Sequence, residues 1–229
     1  MTRPVVAPAT DDRPFVYLRE RTLPTFYLSS LLLILALAAA SVRVAAGPLR
    51  QVGRYLDLFF MGAAFLLLET KNVVQFALLF GTTWFVNALV FGGILLTVLL
   101  AIEVATRVRR IGPLPLYGAL AASLVVAYLV PGSALLDLAL IPRFVVATAL
   151  AFAPVFFANL VFAERFRDVE ASTVAFGANL LGAMLGGALE YTSLVIGYRA
   201  LLPVAAALYA LAAVAGRSHL RRVPAVSAH

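Results

Sequence analysis

The stretch NVVQFALLFGTTWFVNALVFGGILLTVLLAI, residues 72–102, carries not one charged side chain. A helix needs only about 20 predominantly apolar residues to cross the hydrocarbon core of a bilayer. Gly81 divides the run, so one apolar segment closes at Phe80 and another extends from Thr82 to Thr106. Two neighbouring membrane spans are the reading that decides the fold.

Outward from this point the pattern repeats. The segment that closes at Phe80 begins at Tyr55, and before it Pro24 to Ala46 is apolar, stopped by Gly47-Pro48. Proline at a helix start and a glycine–proline stop are the expected punctuation. Towards the C-terminus, further spans run from Pro113 to Val130, Pro142 to Ala163, Ala171 to about Ile196, and Arg199 to Ala215. Pro154 is expected to kink the fifth. The predicted fold is all-α: a polytopic transmembrane bundle of about seven helices over residues 23–216. It is flanked by a polar segment, residues 1–22, and a basic tail, residues 217–229.

Composition agrees. Of 229 residues, 63% are hydrophobic and 13% are charged, about half the charged share of a soluble domain. The net charge of +7 does not point to nucleic acid, because the arginines cluster at the ends of apolar runs, where they anchor loops at anionic lipid. The lipid bilayer is the expected surrounding. Cysteine is absent and both histidines, His219 and His229, lie in the tail. Thiolate chemistry and a histidine site within the bundle are thereby excluded, and no cofactor or metal is expected. No phosphate-cradling glycine loop is present. The first twenty residues lack the apolar core and small-residue cleavage site of a cleavable leader, so none is expected.

Arginine placement and hydropathy disagree on the number of crossings. With seven, Arg3, Arg13, Arg19, Arg21, Arg143 and Arg199 share one side, and eleven arginines including Arg107, Arg109, Arg110, Arg165 and Arg222 share the other. With six, the first segment not crossing, nearly all fall on one side. Either count places the C-terminus in the cytoplasm of an inner-membrane protein.

Glu69-Thr70-Lys71-Asn72 interrupts the second apolar run near its middle. Ionisable residues at membrane depth cost a few kcal/mol each and face a protein interior or a cavity. Residues two apart do not face one another, so Glu69 and Lys71 should look for partners elsewhere. Lys71 shares a face with Gln75, and Glu69 with Asn72. In the sixth span Ala178, Gly182 and Gly186 recur every fourth residue, a small-residue stripe that admits close helix packing. Glu190 continues that stripe, while Asn179 and Tyr191 lie on the adjacent one. The expectation is a cluster in which Lys71 pairs with Glu190 or Glu69, with Asn72, Asn87 and Asn179 hydrogen-bonding around them. A structural pair fixing helix register and a proton, ion or substrate path are the two readings of such a cluster. Glu103 is explained by a helix-end pair with Arg107, and Trp84, Tyr117 and Tyr198 read as interfacial anchors.

Three stretches carry a resemblance: Asp11 to Leu18 (DDRPFVYL), Phe60 to Asn87 with its embedded Glu69-Thr70-Lys71, and Phe176 to Leu201 with Asn179, Gly182, Glu190 and Tyr191. Together they resemble the C-terminal transmembrane block of bacterial spermidine synthase-like integral membrane proteins. Arg13 stands where those proteins have tryptophan. The resemblance implies a layout related to half of a major-facilitator-type transporter. It also implies a non-catalytic block that anchors or accompanies a partner protein, since that family's catalytic residues belong to a soluble domain that nothing here matches. Opening at Met1, the chain is expected to be a separately encoded membrane block or a shortened form of the longer protein. A protein partner or a homo-oligomer is therefore expected. The alternative is a small transporter or half-transporter with Glu69, Lys71 and Glu190 lining its path.

Overall fold

A computed structural model describes residues 25–108 and 112–217. The polar segment with its DDRPFVYL stretch, Arg109, Arg110, both histidines and the tail beyond Arg217 lie outside the described residues. Seven principal helices carry the fold: α1 (Thr25–Ala46), α2 (Leu56–Phe80), α3 (Trp84–Arg107), α4 (Pro113–Leu129), α5 (Leu140–Arg167), α6 (Ser172–Leu189) and α7 (Leu201–Ala215). Short helices at Leu49–Val52, Gly132–Leu136 and Ser193–Ile196, and tight 3-10 turns at Gly53–Tyr55, Glu190–Thr192 and Tyr198–Ala200, complete the chain. No strand occurs among the described residues. Six of the helices, counted with their flanking turns, are long and apolar enough to span a membrane. The remaining one, α4, has 17 residues and a length of about 26 Å. The chain is an all-α helical bundle of multi-pass membrane type.

The boundaries follow from local chemistry. Thr83 caps α3, its hydroxyl accepting from the amide of Val86 at 3.2 Å. Pro113 opens α4, where its missing N–H costs nothing. Gly81 and Gly197 adopt φ of +95° and +83°, which allows the sharp turns into α3 and α7. The polar residues 69–72 interrupt the apolar run of α2 but not its backbone, which stays helical for 25 residues. Likewise α5 continues through Pro154 and extends beyond the expected Ala163 to Arg167. The residues Glu164 to Arg167 form a last helical turn rather than a linker, because Arg165 and Arg167 find acceptors on neighbouring helices and cations suit a helix C-terminus.

Contacts fix the directions. Gly182 meets Phe59, Gly186 meets Ala63 and Glu190 meets Thr70, so α6 runs parallel to α2. Arg165 meets Asp57 and Asn72 meets Ala151, so α5 runs opposite to α2. Gly216, just after α7, lies beside Asp57, so α7 also runs opposite. The ring of Tyr27 packs on Tyr191 at one end of α1, with centroids 5.7 Å apart. At the other end, the short helix that follows α1 packs on α6, and Tyr55 just beyond it accepts from the amide of Ala171, the residue before α6. Thus α1 lies lengthwise and antiparallel along α6. Of the nine described arginines, Arg43, Arg50, Arg54, Arg107, Arg165, Arg167 and Arg217 gather at one end of the bundle and Arg143 and Arg199 at the other.

The centre is α2, which packs against α3, α5, α6 and α7. Leu58, Ala63, Ala64 and Leu67 on it are fully buried. A second cluster joins Phe76 to Val90 of α3 and Val155 of α5, with the rings of Phe80, Phe144 and Phe152 around it. Since lipid tails are as apolar as leucine, such contacts stabilise through close packing rather than through escape from water.

Candidate functional site

The α2–α6 seam is packed to backbone contact. A methyl group built on Gly182 would lie 1.8 Å from the carbonyl oxygen of Phe59, and one on Gly186 would lie 2.5 Å from that of Ala63. On the facing helix Gly62 is equally constrained, since a methyl group built on it would lie 2.1 Å from the carbonyl oxygen of Asn179. Ala178 is fully buried in the same seam. Asn179 donates from Nδ2 to the carbonyl of Leu58 at 3.0 Å, a hydrogen bond across the seam.

Positions 59, 62, 63, 66 and 70 of α2 form the stripe facing α6, following the i, i+3, i+4 rule. Thr70 lies on it, and its hydroxyl donates to Glu190 Oε2 at 2.5 Å. Lys71 is the next residue, turned by about 100° around the axis. Its ammonium therefore points elsewhere, donating to Gln75 Oε1 one turn along and coming within 3.5 Å of Asn72 Oδ1. The expected pairing of Lys71 with Glu190 or Glu69 does not form. Lys71 is only 3% exposed, and Asn72 bridges onward from Nδ2 to the carbonyl of Ala151 on α5 at 3.1 Å. Glu69 is half-buried and has no hydrogen-bond or ion-pair partner among the described residues.

The single cluster expected from the sequence is thus three separate sets. Lys71, Asn72 and Gln75 face α5, Thr70 and Glu190 join α2 to α6, and Asn179 bonds near the start of α2. Tyr191 packs on Tyr27 of α1. Asn87 belongs to none of them, because the helical phase of α3 turns it outward, where it is exposed. Of the expected anchors, Trp84 is 82% exposed, but Tyr198 is 2% exposed and packs inside. Glu103 and Arg107 form the exposed pair at the end of α3.

Two features escaped the sequence reading. Asp57, in the first turn of α2, and Arg165, in the last turn of α5, form a buried ion pair, with the guanidinium 5.8 Å above the ring of Tyr55. Asp57 offered a signal, as the acid opening an apolar helix, but its partner is 108 positions away. Tyr209, the one polar side chain of α7, is 3% exposed and its hydroxyl has no partner among the described residues. Arg167 closes the same end by donating to the carbonyl of Ala105 on α3 and to Glu164. At the opposite end Arg143 and Arg199 are spent on backbone carbonyls, Arg143 on those of Leu136 and Leu138 and Arg199 on that of Tyr128.

No protein-family model, no curated protein and no solved structure matches this chain.

Proposed function

We propose that this chain is a non-catalytic membrane block that anchors or accompanies a partner protein, as the resemblance to spermidine synthase-like membrane proteins implies. The observation carrying the reading is the closure of Lys71 on Gln75 and Asn72 at 3% exposure. An ammonium used along a path would need water or a movable counter-charge, whereas this one is held by two amide side chains of its own helix. In this reading the polar residues at depth set helix register. The arginine-rich end faces the cytoplasm of an inner-membrane protein, with the C-terminus on that side.

The test is purification from the native host membrane in mild detergent, followed by native mass spectrometry. A second polypeptide held in fixed stoichiometry is expected, retained by Lys71→Met. A lone chain would overturn the anchoring reading.

The second reading, a small transporter, is favoured by one observation: Glu69 stands half-buried at membrane depth without a partner among the described residues, a costly position. Solute uptake into proteoliposomes that is lost in Glu69→Gln, with the fold retained, would decide for it.

A further inference from the structure

A crevice of about 140 Å³ lies between α2, α5 and α6, with Tyr209 of α7 at its base. That volume is close to the roughly 150 Å³ of an engineered protein cavity that accepts benzene. Met61, Gly62, Ala158 and Tyr209 are buried and form its floor, while Phe65, Asn159, Phe162, Asn179 and Ala183 are only partly buried and form its rim. The crevice therefore opens sideways, through the face between α5 and α6.

Three polar residues line it, of which Tyr209 also lines a neighbouring apolar cavity between α4 and α7. The hydroxyl of Tyr209 is buried without a partner among the described residues, whose other buried side-chain polar atoms mostly have one. Asn159 and Asn179 have each committed Nδ2 to a backbone carbonyl, that of Val155 at 2.8 Å and that of Leu58 at 3.0 Å. A carbonyl can only accept, so these bonds fix which end of each amide remains. What is left is two amide oxygens without a partner among the described residues and a phenol that both donates and accepts. No charged side chain among the described residues lines the crevice. An ion would find no counter-charge on the walls themselves, where Glu69 acts on Tyr209 only from outside the lining, and a purely apolar guest would leave the phenol unpaired, at a cost.

We propose that this crevice binds the hydroxyl group of an uncharged, single-headed amphiphile entering from the bilayer. The hydroxyl donates to an amide oxygen and accepts from Tyr209, and the alkyl part rests on Phe65, Phe162 and Ala183. Met61 is only five residues, or about 8 Å, into α2 from its arginine-rich end, a shallow depth that a hydroxyl-headed chain can reach.

The probe is a diazirine-bearing octanol, photolysed with the full chain in phosphatidylcholine nanodiscs, with adducts mapped by mass spectrometry. Adducts on the α2, α5 and α6 segments around Met61, Asn159 and Ala183 are expected. Excess octanol should reduce them at least tenfold and octane at equal membrane concentration should not. Tyr209→Phe and Asn159→Leu should each reduce labelling several-fold while the gel-filtration profile is kept. The pair guards against either variant failing to fold. Labelling spread over the outer faces of α1 and α3 would overturn the proposal, as would octane competing as well as octanol. Labelling unchanged in a folded variant would also overturn it.

Discussion

Helices α2 and α3 are neighbours in sequence and both cross the bundle end to end, yet one is its axis and the other its skin. The span containing α2 has a mean hydropathy of 1.4 and half of its most apolar window is buried; α3 has 2.5 and 28%. The more apolar helix is the one left outside. On α3 only a narrow stripe, Val86, Val90, Ile94, Thr97, Ala101 and Ala105, turns inward, while Phe91, Leu95 and Leu99 face out. In lipid, an exposed leucine costs nothing, so hydropathy measures contact with the solvent. Small residues and hydrogen-bonding side chains, both concentrated on α2 and α6, mark the interior.

Five single substitutions, one of them with a compensating double, can break or sharpen that contrast. Gly182→Leu puts a branched side chain where even a methyl has no room, so the protein should lose its monodisperse peak on gel filtration. The same change at Gly92 of α3, where nothing lies within 4 Å, should leave the profile unaltered. If both behave alike, α2 is not the axis. Asp57→Ala strands the Arg165 charge in a buried setting, and a loss of about 3–5 kcal/mol is expected as a fall in thermal midpoint. Replacing both partners by leucine and methionine should recover most of it. Asn72→Leu removes the α2–α5 hydrogen bond to Ala151, for a loss of about 0.6–1.7 kcal/mol in a steric-trapping or denaturation measurement. Smallest of all, Leu99→Ala on the outer face should change stability by less than about 0.5 kcal/mol.

How much of this was written in the sequence depends on the range of the interaction. The seven principal helices were legible, because apolar length and glycine–proline punctuation are local, although only six of them are long and apolar enough to span a membrane. The close seam at Gly182 and Gly186 was also legible, since a four-residue repeat of small residues has few other uses. What failed was pairing at a distance. Lys71 shares a face with Gln75 by simple helical spacing, and that local partner prevailed over the remote Glu190, whose carboxylate meets Thr70 instead. Asp57 and Arg165 could not be matched without knowing that α5 runs beside α2 in the opposite direction. Asn87 was misassigned because a uniformly apolar helix gives no phase from which to tell its inner face from its outer one.

The docking of α1 along α6 has a consequence for biogenesis. The surface that receives α1 does not exist until Ser172–Leu189 has been made, more than a hundred residues after Ala46. At about 5–20 residues per second, the first helix waits on the order of ten seconds in lipid before its partner emerges from the ribosome. With a mean hydropathy of 2.1 it can wait there alone. Docking of the first helix is therefore a late step in the assembly of this bundle, taken only once the sixth helix has been made.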